Sequence, residues 1–257
     1  MSAWVLLRGL ARESAHWSRF PEALQSHLPP GAAIVALDLP GTGLERLRRS
    51  PATVPDIAAQ CRSSLQARGV AGPIHLIGLS LGGMVAAAWA RRWPAEVRGL
   101  VLVNASAAPI SPVHHRLRPS AWPALLRIAA TRDARRAECA VLRLTSRGGA
   151  SDLQLLERWT AVRLERPVSA SNAFRQLYAA VRYQLPARSP DMPVLVVCSQ
   201  GDRLVDPDCS RRLADEWSCC AVEHPWAGHD LALDDPGWLA KQVAEWHCTA
   251  ATFPSCN

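Results

Sequence analysis

The sequence predicts an α/β protein: a mostly parallel central sheet of about six strands, helices on both faces, and a helical insertion in the second half of the chain. Three observations predict it. Short apolar, β-branched runs alternate with longer stretches whose apolar residues recur at three- and four-residue steps, the rhythm of strand and helix in a parallel sheet. The 257 residues are enough for one large domain with a substantial core. No linker, repeat or low-complexity tract divides them, and the rhythm lapses only over about 110–190. A single domain, 1–257, with a helical cap at 110–190 inserted in it follows.

In chain order, residues 4–7 form the first strand, a run too short for a secretion signal. Residues 14–28 read as a helix with Ser14 as its start signal, and 33–37 as the second strand. Helix 54–68, strand 74–77 and helix 81–93 come next, then strand 100–103. The interval beyond it is helical, with segments at 124–131, 134–144, 153–163 and 172–183. Strand 194–198, helix 208–216 and strand 220–223 resume the alternation. Helix 235–247 closes it, opened by Asp235-Pro236 with proline in the first turn. Loops at the carboxyl ends of such strands carry substrate-facing structure, and that places the insertion above the sheet.

Composition narrows the function. No apolar stretch approaches the roughly 20 residues of a membrane span. The formal charge of +7 is almost wholly arginine, Lys241 being the only lysine. Two readings of that bias stand: a GC-rich coding genome, or an acidic partner or substrate. The arginines are spread along the chain without a nucleic-acid-binding motif, so nucleic acid is not expected. Eight cysteines, Cys219 and Cys220 adjacent and the rest scattered, include no C-x-x-C pair, which suits free thiols in a reducing cytoplasm.

The segment Ile77-Gly78-Leu79-Ser80-Leu81-Gly82-Gly83 lies between a strand and a helix. A turn that tight strains its central residue and tolerates only small neighbours, so it presents the Ser80 hydroxyl at the top of the sheet beside a helix N-terminus. Serine is a poor nucleophile near neutral pH and needs a base, an orienting acid and donors for the developing oxyanion. His229, in Trp226-Ala227-Gly228-His229-Asp230 after the last strand, is the base candidate. His224 is its rival but adjoins Pro225 at the strand end, whereas His229 follows a glycine in a loop that can bend towards Ser80. His16, His27, His75, His114, His115 and His247 fall inside elements or the insertion and read as structural. Asp202, first off strand 194–198 after Gly201, is the acid; Asp206, before Pro207-Asp208, reads as a helix cap. The other strand-end position for an acid holds Asn104, which cannot balance an imidazolium. Ser80, Asp202 and His229 stand in the chain order of serine-elbow hydrolases.

On these residues, together with Leu37-Asp38-Leu39-Pro40-Gly41-Thr42-Gly43 after the second strand, the chain resembles α/β-hydrolase-fold serine hydrolases of the carboxylesterase kind. The resemblance implies an oxyanion hole from the backbone N–H groups of Leu81 and Leu10. It also implies hydrolysis of a small-molecule carboxylic ester through an acyl-enzyme, with no metal and no organic cofactor. Thioesters, lactones and C–C bonds are open to the same triad, and the fold also serves non-hydrolytic lyases and ligand receptors. In size and layout the chain is similar to pimeloyl-[acyl-carrier-protein] methyl ester esterases. Arg132, Arg135, Arg136, Arg143, Arg147, Arg158 and Arg163 would then face an acidic acyl-carrier protein. Trp122, Leu125, Leu126, Leu142, Trp159, Phe174 and Tyr178 either wall an acyl pocket or pack the cap helices together. Two departures stand out: Arg8-Gly9 replaces the common His-Gly, leaving Arg8 to meet an acidic side chain, a polar substrate group or solvent, and the antiparallel leading strands of many relatives are not expected.

Overall fold

The computed structural model describes residues 2–70, 72–185 and 188–252. The expected domain limits at 1 and 257, and residues 186–187 of the expected cap, lie outside them. Six strands, β1 (Ala3–Leu7), β2 (Ile34–Leu37), β3 (Ile74–Leu79), β4 (Val97–Val103), β5 (Val194–Ser199) and β6 (Cys220–His224), pair in the order β2-β1-β3-β4-β5-β6. Every pairing is parallel. All six expected strands are present, each within three residues of its expected start and two of its expected end.

The central strands are legible because both of their faces are buried. Ala3, Val5 and Leu7 point to a core shared with α2 (Val54–Ala67), α3 (Leu81–Arg92) and α9 (Asp208–Trp217). Trp4 and Leu6 point to the other core, shared with α1 (Phe20–Gln25) and α11 (Pro236–Thr252). The period-two alternation of a strand therefore divides its side chains between two helical layers. The edge strands β2 and β6 are less buried.

One expected helix divides. Residues 14–28 form a 3-10 turn, Ser14–Trp17, and then α1, because Ser18 takes φ +50° and breaks the hydrogen-bond ladder ahead of Pro21. The turn is anchored from outside: Asp38 accepts from the Ser14 N–H at 2.6 Å and from the Leu44 N–H at 2.8 Å. The Leu37–Gly43 segment thereby fixes the loop that follows β1.

Between β4 and β5 the chain is helical: α4 (Val113–Arg116), α5 (Trp122–Ala130), α6 (Ala134–Thr145), α7 (Leu153–Glu165) and α8 (Ala170–Arg182). The last three start on side-chain caps, with Asp133, Asp152 and Ser169 accepting from backbone N–H groups three residues on. Leu142, Leu155, Leu156 and Trp159 pack α6 against α7 in a small core of their own. No residue of α5 is buried. A final short helix, α10 (Leu231–Asp234), precedes α11.

Candidate active site

The sheet order reverses direction at β1, so the crevice at the carboxyl ends of β1 and β3 is where such a sheet places a ligand. Leu7 pairs with Gly78, and the chain leaving β3 turns at once into α3 through Ser80. Ser80 takes φ +57° and ψ −119°, a region that side chains other than glycine rarely occupy. The neighbours explain how the strain is imposed. A Cβ on Gly82 would lie 2.0 Å from the Leu7 carbonyl oxygen, and one on Gly78 would lie 2.3 Å from the Gly82 oxygen. Glycine at both positions lets β1, β3 and α3 close on one another, and the half-exposed serine is left at the crossing.

His229 Nδ1 stands 2.7 Å from Asp202 Oδ2, and both side chains are buried. The other carboxylate oxygen accepts from the N–H groups of Leu204 and Val205 at 2.8 and 2.9 Å, so the acid is fixed at both oxygens. A carboxylate accepts only, so imidazole Nδ1 is the donor in this bond, and Nε2 is the ring nitrogen left outside it. Asp202, His229 and Ser80 come from the ends of β5, β6 and β3. Ser80 and His229 line one cavity of about 840 Å³. Leu10 and Leu81 line it too, and among the described residues neither backbone N–H donates to another protein group.

His224 is occupied elsewhere. Its Nδ1 accepts from the Ala227 N–H at 3.0 Å, and its Nε2 lies 3.3 Å from Asp235. It shapes the loop that carries His229. Asp206 stands one residue ahead of Pro207, the N-cap of α9, where it accepts from the Asp208 N–H at 3.1 Å and pairs with Arg118 at 3.0 Å. Asp206, Asp208 and His115 bring donor atoms within 4.8 Å of one another, but arginines already claim both carboxylates, Arg211 reaching Asp208 at 2.6 Å.

Several supporting groups were not legible in the sequence. Asn104, at φ +48°, donates to the His229 carbonyl at 2.9 Å and to Ser199 Oγ at 3.1 Å, holding the histidine loop against the end of β5. Arg8 does meet an acidic side chain. It forks onto Asp230, next to His229, at 2.9 and 2.5 Å, with Trp17 beneath the guanidinium at 4.9 Å. Gln176 on α8 accepts from the Ala11 N–H at 2.9 Å and donates to the Pro40 carbonyl at 3.1 Å, tying the cap to the loop that bears Leu10.

Six of the seven apolar cap residues sort into two groups, and Tyr178 joins neither, being exposed and stacked on Phe174 with ring centroids 6.4 Å apart. Trp122, Leu125, Leu126 and Phe174 line the cavity, whereas Leu142 and Trp159 are buried between α6 and α7. A second wall is charged. Arg12 reaches both oxygens of buried Glu138 at 3.1 and 2.9 Å, Arg163 reaches the same carboxylate at 2.7 Å, and Arg166 pairs with Glu13 at 2.9 Å. Burial pushes the Glu13 carboxyl up to about 6 against the pull of Arg166. Burial, with Arg12 and Arg8 nearby, holds the His16 imidazole well below its usual range.

Comparison with known proteins agrees with this architecture. A model of the alpha/beta hydrolase family matches residues 4–242. The chain belongs to that family. Among curated proteins, this α/β hydrolase is similar to a 2-hydroxy-6-oxononadienedioate/2-hydroxy-6-oxononatrienedioate hydrolase of Pseudomonas putida, 27% identical over 108 residues. That match covers 42% of this chain and 38% of the relative, little more than a third of its length. Among solved structures, the α/β hydrolase superposes on the enol-lactonase from Burkholderia xenovorans with a TM-score of 0.78 at 19% identity, over 96% of this chain and 91% of that one. A thermophilic esterase from Thermogutta terrifontis gives 0.71 at 21%, over 97% and 90%. At such identities the likeness concerns the fold. No helix among the described residues of this α/β hydrolase is long and apolar enough to cross a membrane.

Proposed function

We propose that this α/β hydrolase is a serine esterase that cleaves carboxylic esters through an acyl-enzyme, with helices α4 to α8 as the cap over its substrate. The observation that carries the proposal is the Asp202–His229 bond, 2.7 Å long and buried, at a cavity that Ser80 also lines. Asp202 holds the imidazole in the tautomer whose Nε2 takes the proton of the Ser80 hydroxyl. The freed oxygen attacks the acyl carbonyl, and the N–H groups of Leu10 and Leu81 receive the negative charge of the tetrahedral intermediate, helped by the N-terminus of α3. His229 then returns its proton to the departing alcohol, and a water activated by the same imidazole releases the acid. No step of this cycle calls for a metal or an organic cofactor.

The name of the Pseudomonas putida relative supports a second reading, cleavage of a carbon–carbon bond by the same three residues. A variant of the ester reading, in which the acyl group arrives on an acidic carrier protein, is supported by Arg132, Arg135, Arg136, Arg143, Arg147 and Arg158, all exposed on or beside α6 and α7. One experiment separates these. A fluorophosphonate probe labels wild-type protein and not Ser80→Ala, and p-nitrophenyl esters graded by acyl length are turned over. Labelling without turnover of any ester in the panel would count against the esterase. Turnover of carrier-bound esters alone, lost at high salt, would select the variant.

A further inference from the structure

We propose that Arg163, together with Arg12, forms an anion subsite in the cavity, and that the substrate is an ester carrying a free carboxylate at the far end of an apolar acyl chain. The proposal rests on the esterase reading and specifies the class of ester.

The charges lining the cavity do not balance. Arg8 is matched by Asp230 and Arg166 by Glu13, with exposed Glu165 a second partner of Arg166 at 3.6 Å, while Arg116 gives its guanidinium to the Ala180 and Val181 carbonyls at the α8 wall. Arg12 and Arg163 share a single carboxylate, Glu138, whose side chain is 2% exposed. Two guanidinium groups on one carboxylate leave an excess of positive charge at this wall, shared by Arg12, 11% exposed, and Arg163, 35% exposed, and a part-hydrated cation is stabilised by an anion beside it. A monoanion entering the cavity would balance it.

The donors for that monoanion are in place. Arg163 commits its Nε to Glu138 at 2.7 Å, which orients the fork. Among the described residues its two terminal nitrogens bond to no protein group, and the side chain is 35% exposed where it lines the cavity. A free planar fork of that kind matches a carboxylate in a bidentate manner. Arg12 is held firmly beside it, its guanidinium 4.4 Å above the ring of buried Trp159 and its Nη2 without a hydrogen-bond partner. Arg163 is thus unlike the exposed arginines of α6 and α7.

The rest of the cavity sets the shape of the ligand. The charged groups come from the loop after β1, α6 and α7, whereas Trp122, Leu125, Leu126, Phe174 and Leu177 come from α5 and α8. A neutral lipid chain would leave the charged wall unpaired, and a small polar ester would leave the apolar wall bare. An ω-carboxyacyl ester satisfies both.

The test compares p-nitrophenyl esters with acyl chains of about four to eight carbons, ending either in a carboxylate or in a methyl group. The wild-type protein is expected to show a kcat/KM at least tenfold higher for the carboxylate-ended ester at one chain length, the length that spans Ser80 to Arg163. Arg163→Gln leaves Glu138 paired with Arg12, so the fold is retained; it should reduce that preference about tenfold through the KM of the charged ester, and Arg163→Lys should restore part of it. Preference for the methyl-ended ester at every length, or an equal loss for both classes in Arg163→Gln, would overturn the subsite and leave the esterase standing. If neither class is turned over, the esterase reading fails and the subsite is judged separately. Monomethyl succinate, glutarate and adipate are then titrated calorimetrically into Ser80→Ala protein. Binding at least tenfold weaker in Ser80→Ala/Arg163→Gln sustains the subsite, and equal or absent binding overturns it.

Discussion

Replacing Arg8 by methionine keeps an unbranched stem of similar reach while deleting the guanidinium that grips Asp230. Both side chains are almost wholly buried, 2% and 5% exposed, so the carboxylate left behind is poorly hydrated. Two charge-assisted bonds, at 2.9 and 2.5 Å, disappear together. Breaking a buried pair from one side costs about 3–5 kcal/mol, most of it the desolvation of the partner left unpaired. The methionine fills much of the space beside Trp17, so the cavity contribution is small. For a chain of this size, roughly 2 °C per kcal/mol translates that loss into a melting temperature about 6–10 °C lower. The cause is isolated by a double-mutant cycle followed by circular dichroism: Arg8→Met, Asp230→Leu, and the two combined. The combined variant lacks the orphaned carboxylate and is expected to be at least about 2 kcal/mol more stable than the sum of the single effects allows. Turnover should fall in Arg8→Met as well, because Asp230 adjoins His229 and an unpaired carboxylate there would draw the loop towards solvent. A shift below 2 °C in Arg8→Met, or simple additivity in the cycle, would refute the view that this pair holds the histidine loop.

Two further predictions concern the surroundings of the same loop. Asn104→Asp tolerates the positive φ but turns an acceptor towards the His229 carbonyl and Ser199 Oγ; a stability loss of about 1–3 kcal/mol in urea denaturation, with a fall in kcat, is expected, and an unchanged kcat would show that Asn104 does not position the histidine. His16→Gln tests the pH response. The His16 pKa is lowered on folding, so the unfolded chain takes up a proton below about pH 6.5 that the folded protein refuses, and stability is lost as pH falls through that value. In His16→Gln the slope of stability between pH 6.5 and 5 should be shallower by up to about 1.4 kcal/mol per pH unit. Glu13, pushed up to about 6, acts in the opposite sense in both proteins, and identical slopes would mean that His16 does not titrate as its burial requires.

What could be read from the sequence was what chain-local physics determines. A strand buried on both faces must be apolar at nearly every position, and a serine at a strand-to-helix crossing must have glycine on either side; β1, β3, β4, β5 and the place of Ser80 were legible for those reasons, and the less buried edge strands β2 and β6 from the alternation of strand with helix. His229 and Asp202 could be picked out because they follow the ends of β6 and β5; the groups that hold the histidine loop there, Asn104 and the Arg8–Asp230 pair, could not. The break at Ser18 was not, since one residue entering positive φ leaves no mark on apolar periodicity. Nor were the charges that frame the cavity. Arg8 finds its carboxylate 222 positions away and Arg12 finds Glu138 126 positions away, distances over which a sequence records that charges exist but not which of them meet. Arg163 makes the point most directly. On the chain it is one of fourteen arginines in 110–190 with equal claim to solvent or to an acidic surface. In the fold, Glu138 is held by Arg12 from the loop after β1, and this same buried carboxylate turns Arg163 inward with its fork unfilled. On the proposed reading, selectivity among esters hangs on a contact between the insertion and the β1 loop, whereas the chemistry hangs on strand ends. The two can vary independently, so recognising an α/β hydrolase in this sequence did not bring its substrate into view.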